Sequence, residues 1–213
     1  MRPLSLAILT LACLGSLGWS APAEDLFPAR DFAGWTLTAT PDTAVAAVCE
    51  WRADGVIAVT GRPVGFLATT ASYASFRLHA EWRWPGQPGN SGVLVHISSG
   101  AVVRGWPLCF QIQTKFKSAG DLLPMAGATF SEALTSAPGA VTAVRAHTAP
   151  DSEKPAGEWN TCDVTCQGGA IQVTINGVLQ NSVTHATPAS GRIGFQLEGV
   201  PFELRRVSVV RLD

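Results

Sequence analysis

Residues 75–84 read SFRLHAEWRW, and this stretch indicates the fold class. Apolar and polar side chains alternate along it, and successive side chains of a β-strand point to opposite faces of a sheet. One face therefore carries the apolar residues Phe76, Leu78, Ala80, Trp82 and Trp84. The opposite face carries Arg77, His79, Glu81 and Arg83. The stretch predicts a strand that packs one side against a core.

Similar short runs recur along the chain, separated by Gly, Pro and Asn. They cover residues 55–59, 65–69, 92–98, 108–116, 159–166, 170–175, 191–197 and 202–211. Asn176 and Gly177 follow one run and favour a two-residue hairpin turn. Beyond the N-terminal segment we find no amphipathic helical pattern of ten or more residues. About eight to twelve short strands predict an all-β, two-sheet antiparallel sandwich in one domain.

The composition excludes several classes of protein. The chain has 213 residues, is 46% hydrophobic and 15% charged, and has a formal net charge of −1. Such a chain can bury a sizeable core, which excludes intrinsic disorder. Its charge gives no electrostatic basis for binding nucleic acid or an anionic membrane surface. Residues 131–155 are irregular and predict a surface loop or a short helix, and loops of this length often border binding sites.

The N-terminal segment is typical of a secretory signal peptide. Arg2 precedes an apolar run over residues 4–19, and Ala21 and Ala23 suit cleavage after Ala23. We predict a signal peptide over residues 1–23, one domain over residues 24–213, and a secreted or periplasmic protein. An uncleaved anchor and lipidation at Cys13 are the alternatives. No later run is long enough to cross a bilayer.

Removal of the signal peptide leaves four cysteines, Cys49, Cys109, Cys162 and Cys166. In an oxidising compartment an even number permits two disulfides, and three pairings are open. Cys162 and Cys166 lie about 13 Å apart along a strand, which is too far for them to pair with each other. Buried free thiols are the alternative. The spacing does not suit a zinc site.

Two strands present polar faces suited to a sugar. Gln111, Gln113 and Lys115 share one face of their strand, and Gln196 and Glu198 share a face of another. Planar amides and carboxylates hydrogen-bond hydroxyl groups, and an indole covers the apolar face of a pyranose, a role available to Trp106. The alternative is a polar face that simply meets water, as on most antiparallel sheets.

Residues 92–98 read GVLVHIS and follow the same alternation. It predicts that Val93, Val95 and Ile97 lie opposite Leu94, His96 and Ser98. His96 would then lie on the polar face, where its near-neutral titration makes it a candidate base. A hydrogen-bonded strand histidine is the alternative.

Several blocks in series resemble one family. They are GNSGVLVH at 89–96, WPLCFQIQ at 106–113, AGD at 119–121, EKPAGEWN at 153–160, NGV at 176–178, GRIGFQLEG at 191–199 and FELRRV at 202–207. In this order, over residues 27–212, they resemble the 3-keto-disaccharide hydrolase family, long known as a domain of unknown function. Within these blocks we interpret Asn90 and Asp121 as turn residues, and a role in ligand binding is the alternative.

The resemblance implies a concanavalin A-like jelly-roll sandwich, exported by bacteria, that acts on glycosides already oxidised at C3. A C3 ketone acidifies the C2 proton, so a base can remove that proton to give an enolate. The C1–O bond is then expelled, and water adds back. Such an enzyme needs a base for C2–H, donors for the enolate and an acid for the leaving oxygen.

One position departs from the family pattern. Relatives with the Trp-Pro-x-Cys block usually carry an acid two residues after the cysteine, and Gln111 stands there in this chain. Glutamine forms hydrogen bonds but does not exchange a proton at a useful pH. If that acid is catalytic in the family, this chain is impaired, or it uses Glu81, His96 or Glu198 instead.

The leading hypothesis is an exported hydrolase of 3-keto-glycosides or 3-keto-disaccharides, with carbohydrate as its partner. Its candidate catalytic residues are Glu81, His96 and Glu198. Its candidate substrate-binding residues are Trp106, Gln111, Gln113, Lys115 and Gln196. No cofactor or metal ligand is predicted, and Lys115 or a divalent cation are the alternatives for stabilising the enolate. The rival hypotheses are a non-catalytic carbohydrate-binding module and a structural or partner-binding sandwich; the oligomeric state stays open.

Overall fold

A computed structural model describes residues 22–98 and 103–212 of the chain. The predicted signal peptide falls outside these residues apart from its last two positions. The described elements, in chain order, are β1 (Glu24–Asp25), β2 (Trp35–Ala39), α1 (Val45–Val48), β3 (Cys49–Trp51), β4 (Ile57–Val59), β5 (Gly65–Thr69), β6 (Phe76–Arg83), β7 (Gly92–Ile97), β8 (Cys109–Gln113), β9 (Leu122–Met125), β10 (Asn160–Gln167), β11 (Ala170–Ile175), β12 (Val178–Val183), β13 (Arg192–Leu197) and β14 (Phe202–Arg211).

The strands form two antiparallel sheets. An eight-stranded sheet has the order β12-β11-β10-β6-β14-β4-β3, with β1 paired to β14. A six-stranded sheet has the order β2-β5-β13-β7-β8-β9. The predicted all-β, two-sheet antiparallel fold is confirmed, and all nine predicted runs contain a strand.

The described part of the chain has more strands than the eight to twelve predicted. β1 and β3 have only two and three residues, too few for an alternation to show. Pro124 interrupts the short strand β9, and β12 buries Gln180 and Asn181, so neither reads as an apolar run. The formation of such strands depends more on the neighbouring strands with which they pair than on their own sequences.

The core lies between the two sheets and contains residues from both. The predicted apolar face of β6 is buried in full, as Phe76, Leu78, Ala80, Trp82 and Trp84. The six-stranded sheet contributes Phe110, Ile112, Phe195 and Leu197 to the same cluster. The alternation therefore assigns the faces of β6, β8 and β13 correctly. It also directs Gln111, Gln113 and Gln196 to the outer face of the six-stranded sheet.

The predicted hairpin joins β11 to β12. Asn176 and Gly177 have φ angles of 50° and 81°, and Ile175 pairs directly with Val178. Both turn residues thus adopt the left-handed conformation that this tight turn requires.

β7 departs from the predicted alternation at His96. Leu94 pairs with Gly194 whereas Ile97 pairs with Arg192, so β7 carries one extra residue. His96 has a φ of 55° at this bulge and turns into the core. Ile97 instead joins Leu94 on the outer side of the sheet. The prediction that His96 lies on the polar face is wrong, because a bulge shifts the alternation by one residue.

The four described cysteines are buried free thiols. Burial raises the pKa of Cys49 to about 12 and raises the pKa of each of the other three thiols as well. Cys162 and Cys166 point into the core from the same face of β10. Of the two alternatives, the structure has free thiols rather than disulfides among these four residues. Separately, none of the described helices has the length and hydropathy needed to span a membrane.

Candidate functional site

A groove of about 940 Å³ lies on the outer face of the six-stranded sheet. Its floor comes from β8 and β13, which direct Gln111, Gln113 and Gln196 away from the core. Glu198 follows β13 directly and also lines the groove, as does Lys115 just after β8. The strand alternation thus concentrates amide, carboxyl and ammonium groups in one place.

Three buried glutamines form a hydrogen-bonded floor. Gln111 Nε2 donates to Gln196 Oε1 at 2.8 Å and to Gln113 Oε1 at 3.1 Å. Gln113 Oε1 also accepts from the backbone N–H of Lys115 at 3.2 Å. These bonds use the side-chain oxygens of Gln113 and Gln196. The amide N–H groups of both residues have no hydrogen-bond partner among the described residues, so they remain as donors for a ligand.

Gly92 makes room for this floor. It lies on β7, between β8 and β13, and a Cβ atom there would come within 2.6 Å of Gln111 Cγ. The Gln111 side chain therefore lies directly over the bare backbone of β7.

Glu198 is a proton-transfer candidate at the edge of this floor. Its Oε2 accepts a hydrogen bond from Asn90 Nδ2 at 2.5 Å. Partial burial raises its pKa above the ordinary value, while the nearby charge of Lys115 acts in the opposite direction. A carboxyl group of this kind holds its proton to a higher pH than an exposed one, which suits a general acid.

Asp121 and His147 form a second polar pair, which the sequence did not predict as functional. Asp121 lines the groove, and its Oδ1 accepts from the backbone N–H of His147 at 2.8 Å and lies 2.6 Å from His147 Nδ1. Asp121 belongs to one of the sequence blocks, but its position in a turn hid its direction. His147 lies in the irregular residues 131–155, where no alternation assigns a face.

Glu81 does not reach the groove. It lies on β6, and its carboxylate contacts Arg205 Nε at 2.5 Å and Arg206 Nη1 at 2.9 Å on the outer face of the eight-stranded sheet. Burial alone would raise its pKa, but hydrogen bonds from the two arginines outweigh burial and hold the pKa below its ordinary value. The structure therefore places Glu81 in an ion-pair network on the opposite side of the sandwich.

His96 does not reach the groove either. Its ring lies between those of Phe76 and Phe110, with centroid distances of 5.7 Å and 6.3 Å. His96 Nδ1 lies 3.0 Å from the carbonyl oxygen of Pro188, and its buried Nε2 has no partner among the described residues. Burial lowers the pKa of His96, so the neutral ring is favoured. The alternative of a hydrogen-bonded strand histidine matches this position.

The structure thus brings together six of the eight predicted site residues, which are Trp106, Gln111, Gln113, Lys115, Gln196 and Glu198. The irregular stretch, which was predicted to border a site, contributes residues 139–144 to one wall of this groove. Across residues 22–98 and 103–212, no three His, Cys, Asp or Glu side chains gather in a group suited to a metal ion.

Double-sheet jelly-roll sandwiches are an architecture that lectin domains use. The model of the 3-keto-alpha-glucoside-1,2-lyase-like domain matches residues 22–210. The chain therefore belongs to this carbohydrate-active domain family, as its sequence blocks predicted. No curated protein matches the chain.

Solved structures share the fold at low sequence identity. A protein from Parabacteroides distasonis, described provisionally as a glycosyl hydrolase, is 22% identical with a TM-score of 0.63, over 90% of this chain and 94% of that one. Carbohydrate binding module CBM66 from Bacillus subtilis is 11% identical with a TM-score of 0.58, over 84% and 97%. LamAcat from Zobellia galactanivorans is 11% identical with a TM-score of 0.53, over 83% and 90%. These likenesses confirm the predicted jelly-roll sandwich.

Proposed function

We propose that this protein cleaves 3-keto-glycosides by C2 deprotonation, elimination of the aglycone and hydration. The supporting observation is the position of Glu198, a carboxyl group with a raised pKa, beside Lys115 and the glutamine floor in one groove. Membership of the 3-keto-alpha-glucoside-1,2-lyase-like family supports the same chemistry. The substrate is a glycoside whose C3 hydroxyl has already been oxidised to a ketone.

In the first half of the reaction, the Asp121 carboxylate removes the C2 proton. The electron pair of the C2–H bond moves into an enolate centred on the C3 oxygen, which Lys115 and the free amide N–H groups of Gln113 and Gln196 stabilise. The enolate then expels the C1 substituent, and Glu198 gives its proton to the leaving oxygen. The products are a C1=C2 enone and the free aglycone.

In the second half, water adds across the C1=C2 bond. Glu198, now ionised, takes a proton from the water as its oxygen bonds to C1. Asp121, now protonated, returns a proton to C2. Both carboxyl groups recover their starting states, and the net reaction is hydrolysis. His147 holds the Asp121 carboxylate in place throughout, through the two contacts to Oδ1.

Non-catalytic sugar binding is the second candidate function, and Gln111 is the observation that favours it. By the family resemblance, a glutamine stands in place of an acid here, and its Nε2 donates to both other glutamines of the floor. A floor of amides binds hydroxyl groups without transferring protons.

Aglycone release separates the two functions. The purified protein is incubated with a 3-keto aryl glucoside, 3-keto-trehalose and the corresponding unoxidised sugars, with and without divalent cations. Release from the keto forms only is the expected result. Saturable binding of the sugars without release from any of them would instead identify a binding module, and release from the unoxidised sugars would contradict the elimination mechanism.

A further inference from the structure

The groove changes from polar to apolar along its strands. At its polar end Gly92 pairs with Gln113, beside Lys115 and Glu198. Two residues further along β8, Gln111 pairs with apolar residues on both sides, which are Leu94 and Leu123. Two residues further again, Cys109 pairs with Met125. Over these three successive outward positions of β8, the outer face of the sheet therefore changes from amide and charged groups to apolar ones.

A second hydrophobic cluster supports the apolar end from beneath, through two residues that line the groove. Its buried members are Phe66, Ala68, Leu94, Ile97 and Cys109. Trp106 and Met125 pack over this cluster while remaining partly exposed, and both line the groove. The bulge in β7 contributes here, because it turns Ile97 outward into the cluster.

The walls of the groove also expose apolar side chains to solvent. Val141, on the wall formed by residues 139–144, is 84% exposed, and Val103 is 46% exposed. Hydrogen bonds from the backbone N–H groups of Thr135 and Ser136 to the Val144 carbonyl close the base of this loop. Arg104 is the one charged residue among the described residues that line this end. Exposed apolar groups that converge on a groove are typical of a ligand contact.

We propose that the apolar end binds the aglycone, and that the preferred substrates are 3-keto-glycosides with an alkyl or aryl aglycone rather than a second sugar. This inference rests on the proposed function, which places the oxidised sugar at the polar end. The groove, at about 940 Å³, reaches the upper part of the range for small-molecule sites and holds more than one sugar ring. A second sugar would bury hydroxyl groups against Leu123 and Met125, whose side chains offer them no hydrogen bond.

A series of alkyl 3-keto-glucosides tests this inference with a nearly constant leaving group. Methyl, butyl and hexyl 3-keto-glucosides differ in chain length but scarcely in the basicity of the alcohol released. We expect kcat/KM to rise by up to about fourfold for each methylene that leaves water, and to be at least about tenfold higher for hexyl than for methyl. A 3-keto-disaccharide is expected to be a poorer substrate than the hexyl compound.

Two matched variants connect the effect to the groove wall. Val141→Asn places an amide on the loop and is expected to lower the hexyl-to-methyl ratio by about threefold. Val64→Asn makes the same change at another exposed valine, which does not line the groove, and is expected to leave the ratio unchanged. Both side chains are exposed, so both variants are expected to fold.

The outcomes for the substrate class and for the reaction are distinguishable. Equal kcat/KM for the whole alkyl series, or a clear preference for the 3-keto-disaccharide, would overturn the apolar-aglycone inference while the reaction stands. If no 3-keto-glucoside is cleaved, the reaction is wrong, and calorimetric titration with unoxidised methyl and hexyl glucosides then decides the inference. Tighter binding of hexyl, weakened by Val141→Asn, would support it, and equal or absent binding would overturn it.

Discussion

Gln111 Nε2 lies 2.8 Å from Gln196 Oε1, so a side-chain hydrogen bond joins β8 to β13 across the intervening strand β7. The bond passes over Gly92, where a Cβ atom would collide with Gln111. The position at which the family resemblance implies an acid is thus occupied here by an amide that joins the glutamines of the groove floor.

If Gln111 has left the enzyme impaired, restoring an acid at this position is expected to raise turnover. In Gln111→Glu, a carboxylate replaces the donor that now faces Gln196 Oε1 and Gln113 Oε1. The two amides must rotate to present their N–H groups, at a cost in stability of about 1 kcal/mol. Aglycone release from a 3-keto aryl glucoside measures the gain, and Gln111→Met serves as the control that removes the amide without adding an acid. Absence of release by both the wild type and Gln111→Glu, with intact sugar binding, would favour the binding module.

Removing the Glu198 carboxyl is expected to abolish most turnover. Glu198→Gln keeps the shape and the contact with Asn90, but it cannot transfer a proton, so kcat should fall by about 10²- to 10⁴-fold with little change in KM. The proposed acid acts when protonated, so the wild-type rate should decline as pH rises through its raised pKa, and the residual rate of the variant should lack that decline. Glu50→Gln, at an exposed glutamate on β3 of the other sheet, is the control. Equal loss in both variants would remove Glu198 from the mechanism.

Glu81 is expected to affect stability rather than activity. Glu81→Gln leaves Arg205 and Arg206 without their buried carboxylate and should cost about 1–2 kcal/mol, since both arginines retain some contact with water. This corresponds to a decrease in Tm of about 2–8 °C in a domain of this size. Thermal unfolding of Glu81→Gln measures the decrease in Tm, and steady-state kinetics of the same preparation measure its activity. A fall in kcat/KM at an unchanged Tm would return Glu81 to the list of catalytic candidates.

His96 is expected to make the fold sensitive to acid. Its pKa in the folded state is lowered from 6.5 by burial, so the stability that the neutral ring contributes is present above pH 6.5 and is lost as pH falls through the lowered pKa. His96→Asn removes the titrating ring, and asparagine tolerates the φ of 55° at this position. Between about pH 7 and about pH 5, the Tm of the variant should therefore fall less than that of the wild type.

An exposed histidine supplies the control for this pH dependence. His185 has a φ of 54°, so His185→Asn makes the same substitution at the same backbone conformation. The Tm of His185→Asn should depend on pH in the same way as the Tm of the wild type. His79, whose pKa is raised chiefly by its hydrogen bond to Asp163, contributes stability that is lost as pH rises, and does so in every variant. Parallel Tm curves for the wild type and His96→Asn would show that His96 is not the acid-sensitive group.

Strand alternation predicted the faces of β6, β8 and β13, because one side of each is packed against the core. It therefore found the glutamine floor. It could not say to which side of the sandwich a polar face belongs, which is why Glu81 on β6 was grouped with Glu198 beyond β13. Strand alternation placed His96 on the wrong face of β7, because no pattern in the sequence indicates the extra residue of the bulge.

The second carboxyl group of the groove escaped prediction for a different reason. Asp121 precedes β9, and His147, which holds it, lies in a stretch with no regular structure. Asp121 and His147 are 26 residues apart in the sequence, and they come into contact only when the sandwich has folded. No local pattern encodes such a contact, so only the folded structure brings the pair into view.

The burial of all four described thiols has a practical consequence for following the groove in solution. Maleimide dyes react with accessible thiolates, and Cys49, Cys109, Cys162 and Cys166 are neither accessible nor readily ionised. A variant such as Ala140→Cys, at the rim formed by residues 139–144, would therefore take up a fluorophore in preference to these four positions. The emission of that dye would report occupancy of the groove directly, without any need for the bound sugar to react.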